Sequence, residues 1–338
     1  MSTKLFTLVI VAAVGVAACS SGGDDTVEST DAATTVVPIE PTVSPVTTEP
    51  EAPVTSASPE TTEVAPTTEA AEVEPVTVGE WIAIPGGDDC RCSDGSPFEL
   101  WERPADPTKV VLYFQGGGAC FSAETCGPDS ATFTRNLTIG AVPDFGGIFD
   151  ETNPENPLAG HSIIYVPYCT GDVHLGDRVT EYSDTVTIDH NGFPNARKGL
   201  DTVLANYPDV EQLVVAGASA GSIPTPAFAG LAADVLADTE IVTFGDSSAA
   251  YPDVPALNAG IGALWGVLDN VPDWPVNEGL SPEEWSFPGL YVQAGTQHPD
   301  ITFARFDYAY DQVQANFAAL AGIQADDLVT FIDQTEAD

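Results

Sequence analysis

Gly217-Ala218-Ser219-Ala220-Gly221 has the residue types and spacing of a serine nucleophile. It follows the apolar run Leu213-Val214-Val215 and leads into a stretch of small residues. A strand that turns at once into a helix holds such a serine in strained backbone, with Oγ clear of the sheet. Glycine is needed on both sides because a Cβ there would clash. Ala220 is then expected to aim its N–H at a developing oxyanion from a helix N-terminus. A second stretch suits the same chemistry. Phe114-Gln115-Gly116-Gly117-Gly118-Ala119-Cys120 follows the apolar run Val110-Val111-Leu112-Tyr113. A glycine run at that point lets two backbone N–H groups face a reacting carbonyl oxygen. A phosphate-binding loop of the Walker type is excluded, since no Gly-Lys-Ser/Thr follows. Together the two stretches imply acyl transfer from an ester to a serine.

These residues need a sheet to carry them, and the chain supplies one. Lys109–Phe114, Ser162–Val166, Leu213–Ala216, Glu240–Phe244 and Ile301–Phe306 read as strands. Asn195–Tyr207, Ala220–Leu236, Ala256–Val267 and Val313–Leu320 have helical spacing. Leu290–Ala294 fits either. Pro224 and Pro226 fall in the first turns of the helix after Ser219, where proline is best tolerated. Strands alternating with helices predict a mostly parallel sheet with helices on both faces. With the strand–serine–helix turn, the fold class is α/β, α/β-hydrolase-like, in a single catalytic domain over residues 76–338.

The rest of the chain bears on where that domain works. Residues 1–19 read as an export signal: Lys4 is followed by an apolar run too short to span a bilayer comfortably. Val16-Ala17-Ala18-Cys19 has the form of a lipoprotein processing site, which makes Cys19 the expected lipid anchor and the only membrane contact, with a plain secretory signal as the alternative and a transmembrane anchor behind it. Residues 20–75, rich in Thr, Pro, Val and Glu, read as a disordered acidic linker. The domain holds 39 acidic and eight basic residues, a net charge of −31. That excludes nucleic acid and anionic lipid surfaces as partners and disfavours polyanionic substrates. A salty habitat accounts for such a surface. Cys90, Cys92, Cys120, Cys126 and Cys169 are expected to form disulfides in an exported protein, with one thiol left over. Cys90-Arg91-Cys92 has no second ligand pair at zinc spacing, so no metal is expected.

Several further stretches carry a resemblance. Cys92-Ser93-Asp94-Gly95-Ser96-Pro97-Phe98, Phe114 to Cys120, Cys126, Pro167-Tyr168-Cys169-Thr170-Gly171-Asp172-Val173-His174, His190-Asn191-Gly192-Phe193-Pro194-Asn195 and Gly217 to Gly221 occur in that order. In these the chain resembles the pectin acetylesterase and Notum family of serine esterases, from about residue 80 onward. The resemblance implies that Gly117, Gly118 and Ala220 are the oxyanion donors. It implies bridges Cys120–Cys126 and Cys92–Cys169, with Cys90 unpaired. It implies that Asp311, in Tyr310-Asp311-Gln312-Val313, is the acid of a triad with Ser219. Asp172, His174 and Asp246 are expected to border the pocket.

The histidine is the difficulty. In α/β-hydrolases the order is serine, acid, histidine, yet His161, His174, His190 and His298 all precede Asp311. His161 and His298 precede strands and are expected at the wrong end of the sheet. The reading adopted is that the sequence is truncated and the base lies in the missing piece. The alternatives are His174 or His190 in a rearranged triad, or a surface protein that binds without catalysis. The expected activity is hydrolysis of acyl esters, O-acetyl esters on a polysaccharide foremost as the resemblance implies, with no cofactor. Acyl group, alcohol and oligomeric state are open.

Overall fold

The computed structural model describes residues 76–141, 146–248, 251–323 and 328–337. The expected leader, the Cys19 anchor and the 20–75 linker lie outside the described residues. The described residues belong to one compact unit, Ala71–Asp338.

The strands are β1 (Ile82–Pro85), β2 (Glu99–Arg103), β3 (Asp106–Phe114), β4 (His161–Val166), β5 (Arg178–Ser183), β6 (Val186–His190), β7 (Gln212–Ala218), β8 (Glu240–Asp246) and β9 (Thr302–Phe306). The helices are α1 (Gly192–Asn206), α2 (Thr225–Ala233), α3 (Pro255–Trp265), α4 (Phe287–Gln297), α5 (Gln312–Leu320) and α6 (Leu328–Ala337). Seven strands form one sheet in the order β1-β2-β4-β3-β7-β8-β9. From β4 to β9 every pairing is parallel, while β1 and β2 run antiparallel at one edge. The long apolar runs form the central strands because a parallel sheet buries both of its faces. Val110, Val111, Leu112, Leu213 and Val215 are all fully buried. β5 and β6 make a separate hairpin.

Register sets the position of everything that follows. Phe114 pairs with both Val166 and Gly217, Ala218 with Asp246, and Asp246 with Phe306. The loops after β3, β4, β7, β8 and β9 therefore leave the sheet along one edge. Open α/β sheets build their sites at that carboxyl edge.

One sequence expectation changes here. The helix after Ser219 does not run from Ala220. Residues Ser219–Gly221 make a short 3-10 turn, and α2 begins at Thr225, after Pro224. A proline has no N–H and disfavours helical backbone in the residue before it, Ile223. The fold class is the expected one, a mostly parallel sheet flanked by helices in a single α/β-hydrolase-like domain. Ala196, Leu200 and Val203 of α1 and Phe228, Ala229 and Ala232 of α2 join one core with Leu112, Phe114, Val166 and Val215. Helix α4 packs on α2. All three therefore lie on the same face. Over β2, β4 and β3 the opposite face is filled by loop aromatics, with Trp81 and Phe149 against Tyr113 and Tyr165. Arg103 stacks over Trp81 at 5.0 Å and pairs with Glu151. Over β8 and β9 that face leaves Phe244 and Phe306 exposed, at 41% and 47%. Leu290–Ala294 resolves as helix within α4, which Ser286 caps by accepting the Gly289 N–H.

The basic residues are largely consumed inside this domain. Arg91, Arg103, Arg178 and Arg197 each pair with a carboxylate. Most of the 39 carboxylates thus repel one another without a counter-charge. Salt at about 1 M shortens the screening length to about 3 Å, from about 10 Å at 0.1 M. Raising NaCl over that range is expected to raise Tm by several degrees in a calorimetric series. A Tm that stays flat or falls would contradict a repulsive surface.

Candidate active site

Ser219 sits at the end of β7 with φ +52°, in the left-handed region. For a serine this backbone is strained, and the surroundings hold it there. Its carbonyl accepts the Ser222 N–H at 2.9 Å, the Ser222 hydroxyl at 2.8 Å and the Ser248 hydroxyl at 2.6 Å. The flanking glycines are required by contact. A Cβ on Gly217 would lie 2.0 Å from the Gly221 carbonyl oxygen, and one on Gly221 would lie 2.1 Å from that of Phe114.

The glycine loop meets this turn directly. A Cβ on Gly116 would fall 2.4 Å from the Ala218 oxygen and 3.0 Å from the Ser219 Cβ. Gly118, at φ +79°, abuts the Thr132 carbonyl and the ring of Phe317 on α5. Two disulfides brace these loops, Cys120–Cys126 and Cys92–Cys169, and Cys90 is a free buried thiol. Trp265 donates its indole N–H to the Cys120 carbonyl at 2.9 Å and ties α3 to the loop.

Ser219, Ala220 and Gly118 open together into one pocket, a cavity of about 70 Å³. Its wall is apolar and aromatic: Phe121, Trp265, Trp285, Phe287 and Phe317 line it with Ile261. Trp265 and Trp285 are buried in a second core behind it. Gly117 stands beside this opening at φ +154°, against the ring of Tyr168.

Asp311 caps α5. Its Oδ1 accepts the N–H groups of Val313 at 2.8 Å and Gln314 at 3.1 Å. The Gln314 side-chain amide reaches both Asp311 Oδ2 and Asp307 Oδ1, each at 3.3 Å. Burial, then the charges of Asp311 and Asp307, push the Tyr251 phenol above its usual range. Tyr251 lines the pocket, so both carboxylates stand behind one of its walls. Helix α5 thus joins Asp311 at its start to Phe317 on the glycine loop. Asp307 was missed in the sequence, although it directly follows β9.

Three expected pocket residues lie elsewhere. Asp246 occupies the strand position after Gly245, whose missing Cβ would face Ser222 and Tyr291. Alternation turns Asp246 to the opposite face of the sheet, near Tyr113. Ser248 lines the pocket from that strand end instead. Asp172 and His174 are fully buried behind the wall, and Val173 between them faces the pocket. Asp172 accepts the Thr170 hydroxyl and the N–H groups of Gly192 and His174.

The histidines are all engaged. His174 Nε2 donates to the Gln115 carbonyl at 2.9 Å. His190 Nδ1 donates to the Thr170 carbonyl at 3.0 Å, which leaves Nε2 to accept from the Tyr182 hydroxyl at 2.9 Å. Neither therefore supports a rearranged triad. His161 meets Gln212 where β4 and β7 begin, and His298 pairs with Asp234 ahead of β9. Both lie at the edge opposite the pocket. Among the described residues no histidine hydrogen-bonds Ser219 or Asp311. No group of three or more metal-ligating side chains occurs among them either.

A family model described as Pectinacetylesterase matches residues 80–255. That span holds the glycine loop, both disulfides and Ser219, and ends before Asp311. The chain is also similar to palmitoleoyl-protein carboxylesterase notum2 of Xenopus laevis, 30% identical over 91 residues. It is 29% identical over 90 residues to the palmitoleoyl-protein carboxylesterase NOTUM of Mus musculus. Each alignment covers 25% of this chain, and 19% and 18% of those relatives.

Two outcomes follow from this geometry. Gly221→Ala sets a Cβ against backbone that cannot move aside, and should cost on the order of 3–5 kcal/mol in urea denaturation. Gly260→Ala, where nothing lies within 4 Å, is the control and should stay within about 1 kcal/mol. Equal effects would contradict the close approach. Burial lowers His174 and His190 from an ordinary 6.5 to about 4. Their contribution to stability is present above pH 6.5 and lost as pH falls through about 4. Burial raises Asp172 from 3.8 to about 7, which works in the opposite sense over the same window. Stability should fall on acidification from pH 6.5 to 4, and more steeply in Asp172→Asn. A rise on acidification would contradict the two buried neutral imidazoles.

Proposed function

The chain belongs to the pectinacetylesterase family, and on that footing we propose that it hydrolyses carboxylic esters through an acyl-serine intermediate. The observation that carries the reading is Ser219, held at φ +52° against the glycine loop at the mouth of an apolar pocket. Ser219 Oγ attacks the ester carbonyl and gives up its proton to a base. The N–H groups of Gly117, Gly118 and Ala220 hold the negative charge that develops on the carbonyl oxygen. The alcohol leaves with a proton, and water attacks the acyl-serine to release the acid. Asp311 is the triad acid in this reading, standing with Asp307 behind the Tyr251 wall of the pocket.

The pocket favours an acyl chain longer than acetyl. Its lining of six aromatic and aliphatic side chains suits an apolar acyl chain. The names of the two relatives point the same way, since both are given as palmitoleoyl-protein carboxylesterases. The alcohol is a neutral glycan or protein rather than a polyanion, because the domain is so acidic. The protein is exported and anchored by lipid at Cys19, and its two disulfides suit an oxidising compartment. Among the described residues no helix is long and apolar enough to cross a membrane.

A second reading, a surface protein that binds an acylated ligand without cleaving it, is favoured by the engagement of all four histidines. Hydrolysis of p-nitrophenyl esters from C2 to C12 separates the two. On the esterase reading kcat/KM rises at least about tenfold from acetyl to the longer chains. Ser219→Ala should lose about 10³-fold or more, and Asp311→Asn about 10²-fold or more. A maximum at acetyl would remove the acyl-pocket assignment. Wild-type rates no higher than those of Ser219→Ala would leave the binding protein.

A further inference from the structure

The loop after β4 contains two consecutive non-glycine residues in left-handed backbone, Val173 at φ +51° and His174 at φ +61°. Such backbone persists only where the surroundings over-determine it. Here they do. Asp172 takes three hydrogen bonds and ties the turn to the start of α1 at Gly192. Tyr168 closes the turn from the other side, its hydroxyl accepting the Val173 N–H at 2.7 Å. The disulfide from Cys169 to Cys92 pins the loop again.

This braced loop grips Gln115, the residue that opens the glycine run. The Tyr168 N–H donates to the Gln115 side-chain oxygen at 3.0 Å. His174 donates Nε2–H to the Gln115 backbone carbonyl at 2.9 Å, and that carbonyl can only accept. Its ring lies against Tyr168 and Phe114, with centroids 4.6 and 5.3 Å away. The Tyr168 ring in turn is the floor under Gly117. The Gln115 carbonyl belongs to the peptide plane that leads into Gly116 and Gly117. Glycines do not hold their own planes, so an external clamp must.

We propose that His174 is a positioning residue: from its seat on the Asp172 turn it fixes the Gln115–Gly116 peptide, and so aims the Gly117 and Gly118 N–H groups at the oxyanion. His174 never touches substrate and stays neutral. The proposal rests on Ser219 as the acylating nucleophile. It also makes a claim about loop order that can be read without any turnover.

The test uses the full chain as wild type, His174→Phe and His174→Gln. Phenylalanine keeps the ring and loses the donor, while glutamine keeps an N–H donor of similar reach. Two quantities are read: the rate of Ser219 phosphonylation by an alkyl fluorophosphonate, and amide hydrogen exchange over residues 116–119. His174→Phe should slow phosphonylation about 10²-fold and speed that exchange about tenfold, with exchange over 213–216 unchanged. His174→Gln should return both to within a few-fold of wild type. Wild-type behaviour in His174→Phe, or equal defects in both variants, would overturn the proposal. Should His174→Phe not fold, imidazole ¹⁵N shifts of the wild type decide. A neutral Nε2–H tautomer throughout pH 5–8 supports the clamp, and an Nδ1–H tautomer or titration in that range overturns it. If wild-type Ser219 does not react while the exchange pattern holds, the acyl-transfer reading fails and the positioning claim stands.

Discussion

The site depends on two lengths of backbone, the ends of β3 and β7, meeting at van der Waals distance. A Cβ on Gly116, Gly217 or Gly221 would fall within 2.4 Å of a main-chain oxygen of the other segment or of the turn itself. Only glycine permits that approach. It presses the glycine loop against Ser219 and places Gly118 beside Ala220 at one opening. The strain at Ser219 follows, and three hydrogen bonds to its carbonyl offset it.

Around that contact the domain divides its labour by edge and by face. The carboxyl edge carries the nucleophile, the glycine loop and the pocket. The opposite edge carries His161 and His298 in ordinary structural contacts. The helix-covered face buries the apolar core, and its neighbour behind the pocket supplies Trp265 and Trp285 as wall. Buried polar groups concentrate under the glycine loop, where Asp172, His174 and His190 are almost fully hydrogen-bonded and bear no ion partner. Low dielectric there keeps both imidazoles neutral. They hold carbonyls in place, a task for which neutrality is an advantage.

Much of this was legible in the sequence. Strands β3, β4, β7 and β8 stand out because buried parallel strands are continuous apolar runs. The serine turn and the glycine loop stand out because close backbone approach demands glycine at fixed spacing. Other parts left no local signal. β2 reads Glu-Leu-Trp-Glu-Arg, and its end residues, Glu99 and Arg103, are buried with partners more than 40 residues away. The hairpin strand β5 is mostly exposed and polar. Helical periodicity says that a helix buries one side, and not which face of the sheet receives it. The pocket wall is gathered from residues 118 to 323, so no window contains it. Asp246 was misplaced for want of one residue of register, since strand alternation sends its side chain to the far face. His174 drew attention as a residue type, while its role depends on a carbonyl 59 positions earlier.

The most direct measurement is a crystal structure of the full chain after reaction with a dodecyl fluorophosphonate. The account predicts phosphorus bonded to Ser219 Oγ, with a phosphoryl oxygen within hydrogen-bond distance of the Gly118 and Ala220 N–H groups. It predicts the alkyl chain between Ile261, Trp265 and Trp285. An adduct on another side chain, or one on Ser219 whose oxygen faces away from the glycine loop and whose chain lies in solvent, would contradict it.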